Sequence, residues 1–223
     1  MDKETCKQIL QRDMFRVNLE QGKAYSLIGE KVDTEEVLLE LKEAFEREKQ
    51  ERIFCIDVSM QKQDRTDLSR RERYWILWRE IMQQCSQCIP KEALEAIAGT
   101  QSKEVAKVVE KYELFRRSFP DNASDIVQDN NARKSRGKLL KSYTKLGIQI
   151  ILIIRNFEVA EELFPKSDGE GFFYMDLFGL TPKSSDDNKH KILLVSEKRL
   201  KEIAHHMEGG SDIEAAYVPL FVR

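Results

Sequence analysis

Residues 148–154 read IQIILII, with Gly147 before them and Arg155 after them. The run is short, rich in β-branched side chains and nearly free of polar atoms, which is typical of a strand buried on both faces of a parallel sheet. Such a strand needs parallel neighbours in its sheet and helical layers above and below it. The stretch therefore predicts an α/β fold in which further apolar runs alternate with helical patterns.

Four further apolar runs are predicted to be strands, namely 24–28, 52–58, 192–195 and 217–222. A helical pattern follows the first of them, with apolar residues at Val37, Leu38, Leu41 and Phe45. Asp33 is a candidate N-cap for this helix, and Glu36, three residues later, can complete a capping box. Ser196 is expected to open the helix after the fourth strand. These patterns give the alternation of strands and helices that the first stretch requires.

A long helix is predicted after the second strand and ends at Pro90. Its apolar stripe contains Tyr74, Leu77, Trp78, Ile81, Met82, Cys85 and Ile89. Stripes with this spacing pack into protein cores far more often than they bind cofactors, so we interpret it as core packing. Residues at about 90–135 are predicted to be a helical insert, with a polar and mobile loop at 121–135.

Composition restricts the class of protein. The 223 residues carry a net charge of -2, so no global imbalance indicates nucleic acid or a membrane surface. No apolar run approaches the ~20 residues that span a bilayer, and the N-terminus lacks the apolar core of a signal peptide. We predict a single domain over residues 1–223 and a cytoplasmic location.

The four cysteines are too few for a disulfide framework and are predicted to be reduced thiols. Cys85 and Cys88 form a CxxC pair on a helical pattern, and only three histidines are available to complete a metal site. Because structural zinc usually requires four closely supplied ligands, we predict buried core cysteines and no metal site.

One local charge bias stands out between residues 130 and 157, where no acidic residue occurs. The basic residues there are Arg133, Lys134, Arg136, Lys138, Lys141, Lys145 and Arg155. We interpret most of this stretch as the solvated face of a helix that packs through Leu139, Leu140, Tyr143 and Leu146. The alternative is nucleic-acid binding by Arg133, Lys134, Arg136 and Lys138, although no aromatic residues for base stacking are interleaved with these basic residues.

The order of these elements resembles the P-loop NTPase core of bacterial STAND and AAA-type ATPases, especially the group related to archaeal replication initiators. The resemblance covers roughly residues 15–223 and rests on three frames: LIGEKVDTEEVLLEL at 27–41, ILIIRNFEVAEELF at 151–164 and LLVSEKRLKEI at 193–203. It implies a three-layer fold with a parallel five-stranded sheet in the order 5-1-4-3-2 and helices on both faces. It also implies a lid domain after the last strand, which we predict this chain lacks.

The first frame stands where the family has its Walker A motif, GxxxxGK[ST], whose glycines let backbone N–H groups wrap phosphate while Lys neutralises it. Aligned on Gly29, this chain has Thr34 for the second glycine, Glu35 for the lysine and Glu36 for the hydroxyl residue. With Asp33, three carboxylates crowd the start of the helix. A carboxylate about 4 Å from a phosphate charge costs roughly 4 kcal/mol at an effective dielectric of about 20.

The second frame stands where the family has Walker B, and its Asp and Glu are replaced by Arg155 and Asn156. Ser196 matches the polar residue at the end of the sensor strand. The resemblance implies that the two motifs face each other across magnesium, and both have changed sign here. We therefore predict that Arg155 forms an ion pair with Glu36 or Glu35 in place of the metal bridge.

The predicted function is that of a catalytically inactive NTPase-like domain that binds a protein partner, such as an active relative, and needs neither ATP nor Mg²⁺. Its degenerate nucleotide-site positions are Gly29, Glu35, Glu36, Arg155, Asn156 and Ser196. One alternative is a weak ATP-binding switch or ATPase with a phosphate site built from Lys23, Lys31 or Arg155. The second alternative is the nucleic-acid binder described above. Fold alone does not choose among them.

Overall fold

The computed structural model describes residues 1–15, 24–48, 52–60, 70–98, 102–118, 129–163, 190–205 and 216–223. Five strands form one parallel sheet: β1 (Ala24–Ile28), β2 (Ile53–Ser59), β3 (Gln149–Arg155), β4 (Lys191–Ser196) and β5 (Val218–Phe221). Their order is β2-β3-β4-β1-β5, which confirms the predicted order. β3 pairs with β2 and β4, and β1 pairs with β4 and β5, as predicted.

Burial along the strands follows their position in the sheet. Every residue of β1 and β4 is buried, and β3 is buried from Gln149 to Ile154. In β2, at one edge, buried and partly exposed residues alternate, and β5, at the other edge, exposes Val218 and Pro219. The apolar run that predicted the fold is therefore an interior strand, covered on both faces.

Helices cover both faces of the sheet. One face carries α1 (Lys3–Asp13) and α2 (Lys31–Glu48), whose apolar residues share a core with β1 and β3. The core of the other face is built with α3 (Arg70–Cys88), α4 (Lys91–Ala98), α5 (Ser102–Ser118), α6 (Asp129–Lys145), α7 (Ala160–Leu163) and α8 (Leu200–His205). A one-turn 3₁₀ helix (Phe157–Val159) precedes α7. The molecule thus has the three layers that the family resemblance implies.

α1 lies along α2 and runs in the same direction. Lys3 forms ion pairs with Asp33 (2.8 Å) and Glu36, and Lys7 pairs with Glu40 one turn further on. The buried side of α1 presents Cys6 and Leu10 to the core, among others. Polar side chains thus align the two helices while apolar side chains hold α1 against the sheet.

Three element boundaries differ from the sequence prediction. α2 begins at Lys31, and the Thr34 N–H donates to the Glu30 carbonyl (3.0 Å), so Asp33 lies inside the first turn instead of capping it. α6 begins at Asp129, so residues 129–135 are helical and not a loop. Residues 121–128 and the apolar segment at 172–178 lie outside the described residues. Ser196 ends β4 and does not open α8, which begins at Leu200.

The predicted stripe of α3 is buried from Leu77 to Ile89, which confirms its role in the core, while the Tyr74 side chain lies outside the described part. The cysteine prediction is only partly right, because Cys6 and Cys85 are buried but Cys88 is exposed. Burial raises the pKa of the Cys55 thiol to about 11, which keeps it protonated at neutral pH. None of the helices in the described ranges is both long and apolar enough to cross a bilayer.

Candidate functional site

A small cleft lies at the carboxyl edge of the sheet, where ligands of open α/β folds commonly bind. Its walls come from α2, from the turn after β3 and from the end of β4. The lining residues are Lys31, Thr34, Glu35, Arg155, Asn156, Glu158, Val195, Ser196 and Glu197. Four of the predicted site residues, Glu35, Arg155, Asn156 and Ser196, therefore meet here. The space left for water centres is about 10 Å³, close to what a single water needs.

The connection from β1 to α2 consists of two residues, Gly29 and Glu30. The residues aligned with the rest of the Walker A motif are already helical, because α2 starts at Lys31. Their N–H groups beyond the first turn are directed along the helix and cannot wrap a phosphate. The described chain therefore has no loop of P-loop length between β1 and α2.

Gly29 has a packing reason for being glycine. Its N–H donates to the Ser196 carbonyl (3.2 Å), and a Cβ at this position would approach the Val222 carbonyl oxygen to 3.0 Å. The Val222 N–H in turn donates to the Ile28 carbonyl (2.8 Å), which holds Val222 in place. Gly29 thus permits close approach of the two chain segments and does not line the cleft.

Glu35 and Glu36, the two glutamates aligned with the end of the Walker A motif, lie on different sides of α2. Glu35 lines the cleft, 4.0 Å from Lys31 on the preceding turn, whereas Glu36 pairs with Lys3 of α1 and lies outside the cleft. Thr34 is buried, and its hydroxyl donates to the Lys31 carbonyl (3.0 Å) within the helix. The Thr34 hydroxyl, which belongs to the aligned motif, is therefore already hydrogen-bonded within α2.

The predicted ion pair between Arg155 and Glu36 or Glu35 is wrong. The Arg155 Nε donates to the Asp57 carboxylate at 2.8 Å, and Lys42 of α2 pairs with the same carboxylate. Asp57 lies on the adjacent strand, and its side chain is only 16% exposed. A carboxylate buried to this extent depends more strongly on neighbouring cations than the exposed glutamates do. Strand pairing also fixes Asp57 close to Arg155, whereas a glutamate on α2 would have to reach across the cleft.

Asn156 follows β3 directly and lies in the left-handed region, with φ 55° and ψ 43°, a conformation that Asn tolerates better than most residues. Its side-chain Nδ2 donates to the Ser59 hydroxyl (2.7 Å), and the Met60 N–H donates to the Arg155 carbonyl (2.9 Å). The ends of β2 and β3 are thereby tied together at the position that aligns with the Walker B acids of the resembled family.

The far wall of the cleft is acidic. Glu158 accepts a hydrogen bond from the Glu197 N–H (3.3 Å), and the Ser196 hydroxyl donates to the Lys198 carbonyl (2.7 Å). Together with Glu35, the lining has three carboxylates and only two cations, Lys31 and Arg155. An anionic ligand would therefore meet a site whose formal charge is already negative.

Asp57 is the important residue that sequence reasoning missed. It is the acidic residue of the predicted second strand, and the predicted topology already placed that strand beside the one ending at Arg155. In the observed register Asp57 stands opposite Ile153, two positions before Arg155, so the two side chains share a face of the sheet. The available signal was an acidic residue on the strand next to Arg155, but the register that brings the two together is not supplied by spacing along the chain. No comparable signal pointed to Lys42, which also pairs with Asp57, or to Lys3, which pairs with Asp33 and Glu36.

The basic stretch forms much of α6. Lys138 is exposed there, and Leu139, Leu140 and Tyr143 are buried, which confirms the amphipathic interpretation for this part of the helix. The other candidate nucleic-acid residues, Arg133, Lys134 and Arg136, belong to α6, but their side chains lie outside the description. Lys23, a candidate for an alternative phosphate site, also lies outside the described residues.

The strand order and the position of the cleft define a P-loop NTPase-like α/β fold. The chain is similar to the solved structure of the Aeropyrum pernix ORC2 protein in its ADPNP-ADP complexes, with a TM-score of 0.50 and 10% identity over 99% of this chain and 46% of that one. The ADP form of ORC2 also has a TM-score of 0.50 and 10% identity, over 98% of this chain and 46% of that one. The chain thus spans less than half the length of these structures, and identity this low supports the fold alone. No protein-family model and no curated protein matches the sequence.

Proposed function

We propose that this chain is a catalytically inactive, degenerate member of the bacterial STAND and AAA-type group that acts as a protein-interaction or regulatory module. The observation that carries the proposal is the two-residue connection between β1 and α2, Gly29 and Glu30. Nucleotide binding in the P-loop mode depends on consecutive backbone N–H groups in a loop around the phosphates. This connection is too short to supply them.

The charges of the cleft support the same proposal. Arg155 stands where a magnesium-binding carboxylate is expected, and it is held by Asp57 on the neighbouring strand. A single carboxylate about 4 Å from a phosphate charge costs roughly 4 kcal/mol at a dielectric of about 20. Millimolar affinity is worth only about 4.1 kcal/mol, so the one carboxylate that the lining has in excess of its two cations would cost about as much as ordinary binding gains.

Nucleotide titration tests the inactivity. Melting of the purified chain is followed with and without millimolar Mg-ATP, Mg-ADPNP and Mg-ADP, and calorimetric titration measures binding directly. We expect no shift in Tm and no binding heat, because a ligand that does not bind the folded state cannot stabilise it. A stabilising shift that depends on nucleotide concentration would contradict the proposal.

A weak nucleotide switch is the second candidate, because Lys31 and Arg155 line the same cleft. If it is correct, Lys31→Ala should abolish the nucleotide-dependent shift in Tm. Lys91→Ala is the matched control, because Lys91 likewise pairs with a glutamate one turn further along its own helix. A nucleotide shift that both variants retain would argue against a phosphate site at Lys31.

The proposed partner is another protein, such as an active relative of the same fold. A regulatory domain of this kind would act through its surface and not through its cleft. The surface of α2 is the part of the described structure that best defines such a contact.

A further inference from the structure

The outward face of α2 exposes two large apolar side chains. Val32 is 73% exposed and Leu39 is 59% exposed, whereas Val37, Leu38 and Leu41 of the same helix are buried. Residues seven apart on an α-helix are separated by about 20° around its axis and about 10 Å along it. Val32 and Leu39 therefore form one apolar line on the side of α2 that faces away from the sheet.

Carboxylates surround this line. Glu36, Glu43 and Glu46 are exposed and lie within about 40° of it on the helix surface. We call Val32, Glu36, Leu39, Glu43 and Glu46 the outer stripe. Within the described residues neither Glu43 nor Glu46 has an ion-pair partner within 4.0 Å, and Lys31 and Arg47 lie at the margins of the stripe. The stripe therefore combines apolar contact area with two carboxylates that are not ion-paired, Glu43 and Glu46, whereas Glu36 already pairs with Lys3.

The packing of α1 against α2 shows which charges α2 pairs with inside the chain. α1 runs in the same direction as α2, and its lysines, spaced four residues apart, pair with glutamates spaced four apart: Lys3 with Glu36, and Lys7 with Glu40. Its apolar side is buried beside these ion pairs. A helix with lysines at one-turn intervals next to an apolar line is thus compatible with the spacing of charges along α2.

We propose that the outer stripe binds a basic amphipathic helix of a partner protein. Two apolar side chains of that helix, seven residues apart, would cover Val32 and Leu39, and flanking Lys or Arg residues would pair with Glu43 and Glu46. This inference rests on the proposed interaction function. Charge favours this occupant, since a second copy of the stripe would oppose carboxylate with carboxylate and a nucleic acid would add phosphate charge.

The test uses a synthetic helical peptide with two leucines seven residues apart and lysines one turn on either side of them. Binding to the full chain is measured by fluorescence anisotropy at physiological salt. We expect Val32→Ser and Leu39→Ser each to weaken binding about tenfold, which corresponds to about 1.4 kcal/mol. Leu114→Ser is the matched control, because Leu114 is a leucine of α5 that is 49% exposed, and it should leave binding unchanged.

A charge swap provides the second arm. The double variant Glu43→Lys and Glu46→Lys should lose the basic peptide and gain affinity for the same peptide with its lysines replaced by glutamates. Circular dichroism and melting confirm that each variant is folded. Equal effects of Leu39→Ser and Leu114→Ser, or binding that ignores the sign of the peptide charges, would overturn the proposal. So would self-association of the wild type that Leu39→Ser abolishes, because the occupant would then be a second copy.

Failure of this inference can be told apart from failure of the proposed function. The peptide measurements contain no nucleotide and use substitutions outside the cleft. A chain that binds Mg-ATP and also binds the peptide through the outer stripe would refute inactivity alone. A chain that binds neither nucleotide nor peptide would refute the outer stripe as a docking site.

Discussion

His190 stands directly before β4 and is 1% exposed. Its Nδ1 accepts a hydrogen bond from the Ile150 N–H (3.0 Å), and its Nε2 lies 2.9 Å from the Leu140 carbonyl oxygen. These partners require neutral imidazole with its proton on Nε2, because a proton on Nδ1 would oppose the Ile150 N–H. Burial lowers the pKa of His190 to about 4, even though the Leu140 carbonyl favours the charged form.

This lowered pKa predicts acid sensitivity. The unfolded chain takes up a proton on His190 near pH 6.5, and the folded chain takes it up only near pH 4. The contribution of neutral His190 to folding stability is therefore complete above about pH 6.5 and is lost as the pH falls towards 4. Between about pH 7.5 and pH 5 this group alone should remove about 2 kcal/mol of unfolding free energy. Urea unfolding at both pH values measures the loss.

The control separates His190 from the many carboxylates that also titrate. His190→Gln should lower stability at pH 7.5 but lose much less of its remaining stability at pH 5 than the wild type does. His205→Gln, at an exposed histidine of α8, should keep the full pH dependence. An equal loss in the wild type and in His190→Gln would show that the imidazole is not the sensitive group.

Two glycines give opposite expectations for the same substitution. Gly29→Ala should destabilise the fold by about 1–2 kcal/mol, because the new Cβ would lie 3.0 Å from the Val222 carbonyl oxygen, which has little freedom to move. Gly137→Ala should stabilise it by up to about 1 kcal/mol, since Gly137 lies inside α6 with nothing within 4 Å of the new Cβ. Thermal and urea unfolding check both. Effects of the same sign would contradict the packing account of Gly29.

At the scale of elements, Asp57 joins three of them. Its carboxylate on β2 binds Arg155 of β3 and Lys42 of α2, so one side chain fixes the helix over the carboxyl ends of two strands. The carboxylate is 16% exposed, and the two cations are about one-third exposed. Partial burial makes such a cluster worth more than a surface ion pair, because solvent screens it less.

A double-mutant cycle between Asp57→Asn and Arg155→Met should therefore show coupling of about 1–2 kcal/mol in unfolding free energy. Asp57→Asn alone should be the more harmful single change, because it leaves Lys42 and Arg155 as neighbouring like charges. The same cycle for the exposed pair Lys91 and Glu95 on α4 should give only about 0.3–0.5 kcal/mol. Equal coupling in both pairs would mean that Asp57 does not organise this edge.

The element boundaries show what a sequence can reveal. All five strands were predicted to within about one residue, because short apolar runs between polar segments mark buried strands well. The start of α2 was predicted less well. Asp33 was predicted to be the N-cap, with Glu36 completing a capping box, yet the first helical residue is Lys31 and both carboxylates pair with Lys3 of α1. The local capping pattern did not reveal this contact with another element.

At the scale of the molecule, the fold was more predictable than the site. The sheet order followed from the family resemblance, and it brought Glu35, Arg155, Asn156 and Ser196 to one cleft. The pairing inside the cleft did not follow, because a sign change at two positions does not reveal which of several carboxylates lies nearer to Arg155. Distances of a few Å between side chains on different elements decide ion pairs, and residue spacing along the chain does not supply them.

The whole chain carries a net charge of -2, whereas α6 carries six basic residues and one acidic residue, so this helix is the place to test nucleic-acid binding. We expect no binding of an oligonucleotide at physiological salt, because the one aromatic residue of α6, Tyr143, is buried and cannot stack on bases and the global charge is unfavourable. Any binding at low salt should fall steeply, with each phosphate contact contributing about -0.9 to the slope of log K against log salt.

The measurement is fluorescence anisotropy over a salt series with the wild type and two triple variants. The first variant changes Lys134, Arg136 and Lys138 to Ala. The second, the control, changes the exposed lysines Lys103, Lys107 and Lys201 to Ala. Micromolar binding at physiological salt that only the first triple variant loses would establish α6 as a nucleic-acid interface and displace the interaction-module proposal.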